Sequence, residues 1–254
     1  MRKLITVAVL GLLSMAACTT KNAKDSDELV PVDSLDHILI SDEGVAWTDT
    51  FEVDDDNWAS VALGCGMPKN LSQVVADSIK VWVCQAFGDS ACDYFDYDVA
   101  YLLHDAGQAM LSEDSTNVAN DIAEGTSYGD GVVYTDEIII QPLYENDQYV
   151  TMSYEAKTQI GGPDISSYSL YATFSKKDGH QMGNELLKGM TEEQILKQIR
   201  ETFDTSGEQY DPDDLRLPET PAYLTEDGVE MIYQENELSG GRGGRVEVWI
   251  KANE

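Results

Sequence analysis

Positive charge is what this sequence has least of. Its 254 residues carry 16 Lys and Arg against 47 Asp and Glu, a formal net charge of −31. A chain this acidic repels nucleic acid and anionic lipid surfaces, so neither is an expected partner. There are three histidines and four cysteines, with no zinc-binding spacing. A Gly-x-Ser-x-Gly elbow, a His-Glu-x-x-His pair, a phosphate loop and a dinucleotide fingerprint are also missing. The acid runs Asp54-Asp55-Asp56-Asn57 and Asp211-Pro212-Asp213-Asp214 lack the alternating oxygen ligands, central Gly and distal Glu of an EF-hand loop. They read as solvated loops, and no metal and no cofactor is expected. With 47 acids, carboxylate pairs arise by chance, so none is nominated as catalytic. No apolar run approaches the roughly 18 residues of a spanning helix.

What is present starts with an export signal: Arg2 and Lys3, an apolar run from Leu4 to Leu13, then small residues. Met15-Ala16-Ala17-Cys18 resembles the processing box of bacterial lipoproteins. That implies removal of residues 1–17 and acylation of Cys18; the ordinary alternative is a cut near Ala17 that leaves Cys18 a thiol. Several acyl chains would hold the protein firmly at a membrane, where one alone is marginal. The expected location is the bacterial cell envelope, lipid-anchored at the outer membrane on its periplasmic or outward face. Residues 18–44 mix acids, Ser and Thr as a solvated tether would, with His37 exposed in it.

Three further cysteines, Cys65, Cys84 and Cys92, make an odd number for an exported chain. Cys84 and Cys92 flank a loop containing the helix-ending Gly88 and are the expected disulfide; a Cys65–Cys84 bond is the rival. Residues 45–131 read as a smaller α/β portion. VAWTDTFEV and WASVALGC alternate as two strands around the turn Asp54-Asp55-Asp56. A helix capped by Asn70 follows, with Leu71, Val75, Ile79, Trp82, Val83 and Ala86 at helical spacing. A second helix is expected from Asp98 to Met110, placing His104 and Asp105 on a solvated surface. A short third one is expected around Asn117–Glu124 after turn formers.

From Val132 to the end, strands dominate. VVYTDEIIIQPLYE is followed by QYVTMSYEAKTQ across the turn Asn146-Asp147, and Pro142 marks an edge or bulge. In the next strand Tyr168, Leu170, Ala172 and Phe174 share one apolar face. Thr191 and Gln194 have capping-box spacing ahead of a helix lined by Ile195, Ile199 and Phe203, which should pack across the sheet. AYLT, VEMIYQ and RVEVWIK complete the chain. Strands grouped with strands beside a separate helix indicate an α+β fold: an antiparallel sheet with a packed helix, residues 132–254, preceded by the α/β portion.

Four pieces of that second region, QYVTMSYEAKTQIGG, LYATFSKKDGHQMGNELL, AYLTEDGVEMIYQENEL and the closing VEVWIK strand, resemble in order the C-terminal domain of RsiV-type proteins. This is a bacterial cell-envelope domain of unknown function that also accompanies some peptidoglycan deacetylases. The family's Gly-Gly-Ala-His turn corresponds to Gly161-Gly162-Pro163-Asp164, so the histidine is replaced. His180, after the next turn, is a candidate contact in its stead; an exposed turn histidine is the plainer alternative. Gly161 and Gly162 form either a ligand loop or only a turn, and turns are the commoner use of Gly and Pro. Tyr168, Tyr171, Tyr223 and Tyr233 are candidates for stacking on a glycan, Tyr171 foremost, although strand alternation buries about half of such residues.

Some relatives are membrane-anchored sensors that bind an extracellular protein such as lysozyme, and others accompany glycan-modifying enzymes. The resemblance therefore implies a non-catalytic envelope lipoprotein binding a basic, lysozyme-like protein or cell-wall peptidoglycan, the acidity supplying electrostatic steering. The rival class is an envelope glycan- or peptide-modifying enzyme whose acid and base are carboxylates that no motif identifies.

Overall fold

The computed structural model describes residues 35–87, 98–126, 128–129, 131–206, 210–238 and 245–251. Their first seven strands form one sheet in chain order: β1 (Ile38–Ser41), β2 (Gly44–Asp54), β3 (Asn57–Cys65), β4 (Val132–Glu145), β5 (Tyr149–Gly161), β6 (Ile165–Ser175) and β7 (Gln181–Met182). Between β3 and β4 lie helices α1 (Gln73–Ala86) and α2 (Val99–Glu124). Beyond β7 come α3 (Glu192–Ser206) and a second sheet, ordered β10 (Val246–Ile250), β9 (Gly228–Tyr233), β8 (Tyr223–Thr225). The β1–β2, β2–β3, β6–β7, β8–β9 and β9–β10 pairs are antiparallel. The fold is α+β, as the grouping of strands implies.

β3 and β4 are parallel, in register from Asn57 opposite Val132 to Cys65 opposite Ile140. Parallel neighbours need a long crossover, and the segment carrying α1 and α2 supplies it. That register also accounts for Pro142. It falls past Ile140, the last residue of β4 opposite β3, so on that side its missing N–H breaks no ladder bond.

By contact the chain divides into two compact units. The first comprises Met1–Met67, Phe87–Ile140 and Ala156–Ser166. In it α2 packs on β2 and β3, and Ala59, Val118, Val132 and Tyr134 form a small core. Gly107 of α2 lies close against the sheet, and a Cβ there would lie 2.2 Å from Cε3 of the buried Trp47 ring. Strand structure is present ahead of the expected Val45: Ile38 pairs with Trp47, and His37 lies edge-on to that ring at 6.2 Å. The tether expected to reach residue 44 is thus a strand from Ile38. The two helices expected at 98–110 and 117–124 are one, because Ser115 and Thr116 turn their hydroxyls back onto the Leu111 and Ser112 carbonyls instead of breaking the helix.

The second unit comprises Pro68–Ala86, Gln141–Glu155 and Ser167–Glu254. Its α1 starts after Ser72, whose carbonyl accepts from Val75 and Ala76, while the expected cap Asn70 sits at φ 60°. Trp82 of α1 meets Phe174 of β6 edge-on, with ring centroids 6.4 Å apart. On the opposite face of β6, Tyr171 stacks on Tyr223 of β8 at 4.2 Å, and the Leu224 N–H donates to Thr173 Oγ1. Both faces of β6 are therefore covered near its end. α3 has its capping box: the Thr191 N–H donates to Gln194 Oε1 and the Gln194 N–H to Thr191 Oγ1. Its Ile195, Ile199 and Phe203 join Val229, Met231, Tyr233, Val248 and Ile250 in the main core of this unit.

Candidate functional site

In the first unit the face of β4 and β5 that meets α2 carries a row of acids and hydroxyls. Asp114 and Asp121 project from α2 two helical turns apart. Tyr134 and Asp136 lie two residues apart on β4 and so share a face. The Tyr134 hydroxyl donates to Asp121 Oδ2 at 3.0 Å, and the Tyr128 hydroxyl reaches the same oxygen at 3.3 Å. Thr158 of β5 donates to Asp136 Oδ1 at 2.8 Å. No Lys or Arg occurs anywhere in α2.

Crowding of acids has a chemical consequence at Asp114. Burial, then repulsion from Asp136 and Glu113, then a hydrogen bond with Asp136 push its carboxyl from 3.8 to about 6. Ionised, Asp114 leaves its buried Oδ2 without a hydrogen-bond partner; protonated, it donates to Asp136. Asp114 thus keeps its proton up to about pH 6, well past an ordinary aspartate. Tyr134 moves up to about 12, through burial first and Asp121 next, so it stays a phenol that donates. Among the described residues, no group of three or more His, Cys, Asp or Glu is arranged to hold a metal ion.

Gly161 and Gly162 close one end of this row. The Gly162 N–H donates to the Ile160 carbonyl at 2.7 Å, and Gln159 Nε2 donates to the Gly162 carbonyl at 2.7 Å. Gly161 has φ 70°, and a Cβ on it would lie 2.6 Å from Cζ of Tyr128. The paired glycines form a turn shaped to receive the Tyr128 ring, whose hydroxyl in turn reaches Asp121. Only glycine combines that φ with that approach at no steric cost.

Of the other sequence-nominated residues, Tyr168, Tyr171, Tyr223, Tyr233, His180 and Cys84 lie in the second unit. Tyr171 is buried against Tyr223, and burial pushes its phenol up to about 12. Tyr223 and Tyr233 are buried as well, whereas Tyr168 is 45% exposed. His180 is exposed on its turn, its Nε2 2.9 Å from Glu185 Oε1. Cys84 is buried in α1 and Cys65 at the end of β3. Cys92, the expected partner of Cys84, lies outside the described residues, as does Cys18. His104 and Asp105 contact each other at 3.0 Å on α2. Sequence reasoning missed Asp114, Asp121, Tyr128, Tyr134 and Asp136, which come from α2, β4 and the segment between them and form no motif. The signal that could have found them is the charge pattern: residues 81–156 contain 15 Asp or Glu and no Lys or Arg.

No family model and no curated protein matches the sequence. Among solved structures the chain is similar to a DUF3298 family protein from Bacteroides fragilis. The TM-score is 0.62 at 14% identity, over 83% of this chain and 92% of that one. A DUF3298 family protein from Pseudomonas aeruginosa gives 0.48 at 11% identity, over 81% and 88%. The protein therefore has the fold of a structure from an uncharacterised bacterial domain family.

Proposed function

We propose that this protein is an exported, lipid-anchored binding protein of the bacterial cell envelope, held by acylated Cys18, whose partner is a basic extracellular protein of the lysozyme kind. The observation that carries the reading is the negative charge of residues 81–156, which have no Lys or Arg of their own, pair Glu137 and Glu145 with Lys157 and Lys176, and include α2 and the part of β4 that belongs to the first unit. Such a field steers a cationic protein into encounter and disfavours nucleic acid and anionic lipid. The RsiV-type resemblance of residues 135–251 supports the same reading, and a DUF3298-like fold is compatible with it.

Asp114 favours a second reading, an enzyme acting on envelope glycan or peptide with the Asp114–Asp136 pair as proton donor and acceptor. One experiment separates the two. The soluble domain, residues 19–254, is titrated calorimetrically with lysozyme and with muramyl peptides at low and high salt, and the samples are then analysed by mass for cleavage. Saturable, salt-weakened lysozyme binding without product is the expected result. Cleaved product would replace the binding reading by the enzymatic one, and no lysozyme complex at any salt would remove the steering argument.

A further inference from the structure

The tip of the β5–β6 hairpin combines apolar exposure with a hydrogen-bonded turn. Ile160 and Ile165, at 66% and 62%, are the most exposed large apolar residues among those described, and they flank the Gly161-Gly162-Pro163-Asp164 turn. That turn is braced by the Gly162 N–H and Gln159 side-chain hydrogen bonds and backed by the Tyr128 ring. Tyr128, at 39% exposed, adds its ring to this apolar surface. Asp121 and Glu124 precede Tyr128 in the chain, Asp164 precedes Ile165, and α2 offers no cation to neutralise them.

Charge decides what could cover such a surface. An anionic membrane meets the acids unfavourably, and a second copy would set the same acids against themselves. The complement is a chain with apolar side chains for Ile160, Ile165 and Tyr128 and flanking Lys or Arg for the acids. We infer that this tip is a docking surface for a cationic amphipathic peptide segment, seated on Ile160, Ile165 and Tyr128 with its cations toward Asp121, Glu124 and Asp164. The inference rests on the binding reading and adds the place and the chemistry of the partner.

The test uses the whole exported chain with Cys18→Ser, which removes the lipid site, and three probes: a short amphipathic Leu/Lys helical peptide carrying a photo-crosslinking group, oligolysine and lysozyme. The amphipathic peptide should bind more tightly than oligolysine of equal charge. The Ile160→Ser/Ile165→Ser variant should weaken it by at least about tenfold in Kd, while Trp249→Ser, on the exposed Trp249 of the second unit, leaves it unchanged. Crosslinks should fall within residues 120–131 and 158–166, a readout independent of any variant. Equal binding by the double variant, crosslinks elsewhere, or oligolysine binding as tightly as the amphipathic peptide would overturn the docking surface. If lysozyme still bound, the broader reading would survive; if none of the three probes bound, both would fall.

Discussion

The two units solve the placement of polar groups in opposite ways. In the second, β5 from Val150 to Tyr154 and β6 from Tyr171 to Phe174 are buried on both faces, and their hydroxyls satisfy one another: Thr151 and Thr173 meet at 2.9 Å, and Ser153 donates to the Gln141 carbonyl. In the first, α2 spans 26 residues yet buries six, and of its inward carboxyls Asp121 accepts from two tyrosine hydroxyls while Asp114 is set near the carboxyl of Asp136. A region whose buried polar groups are paired is built for stability. A carboxyl such as Asp114, partly buried near another carboxyl, keeps an electrostatic demand that only a proton or a partner can meet. The second unit is thus a scaffold, and the first carries the surface on which function is to be sought.

The most severe test of that contrast is Tyr171→Ala. As a glycan-stacking residue Tyr171 would tolerate the change in stability and lose only binding. Buried and stacked on Tyr223, it should instead cost about 3–5 kcal/mol, as aromatic truncations in cores do. Denaturant unfolding measures it, and a loss below about 1 kcal/mol would break the scaffold assignment.

The fate of Tyr171 also shows what the sequence could and could not convey. Alternation and turn residues located β2, β3 and the strands from Val132 onward, and the Thr191/Gln194 box placed the start of α3, because each rests on neighbours in the chain. Alternation says that one face of β6 is buried; it cannot say that β8 and β9 bury the other, since their packing is non-local. The Ser-Glu-Asp-Ser-Thr-Asn stretch reads as turn formers, yet tertiary contact with β2 and β3 carries α2 straight through it. Of the acidic row, only the Gly161-Gly162 turn was singled out by its residues. Asp114 and Asp136 stand 22 positions apart on a helix and a strand, and the intervening turn leaves no spacing rule to reveal them.

A smaller effect, confined to the first unit, is expected of Gly161→Ala. The positive φ and the Tyr128 ring both oppose a Cβ, and strain of this kind is worth about 1–3 kcal/mol. Because Tyr128 must shift, its hydrogen bond to Asp121 should be lost, and near-ultraviolet circular dichroism should report the altered tyrosine environment. An unchanged spectrum and midpoint would mean that the turn does not position Tyr128.

The smallest change, and the one that sharpens the contrast most, is Asp114→Asn. Asp114 titrates near 3.8 when unfolded and about 6 when folded, so between those values the folded chain binds the extra proton and stability falls as pH rises. Above about pH 6 the native protein carries the cost of an ionised Asp114 beside Asp136; below about pH 4 it carries none. Asparagine keeps an N–H to donate to Asp136 and cannot ionise. The variant should therefore match wild type near pH 4 and exceed it near pH 7.5. The gain should be on the order of 1 kcal/mol, after allowing for the solvent that reaches a half-exposed carboxyl. Melting temperatures across pH 4–8 would show the two curves diverging upward from the acid end. Parallel curves would mean that the acids of the first unit hold no proton in the fold, and the difference between the units would reduce to how densely each is packed.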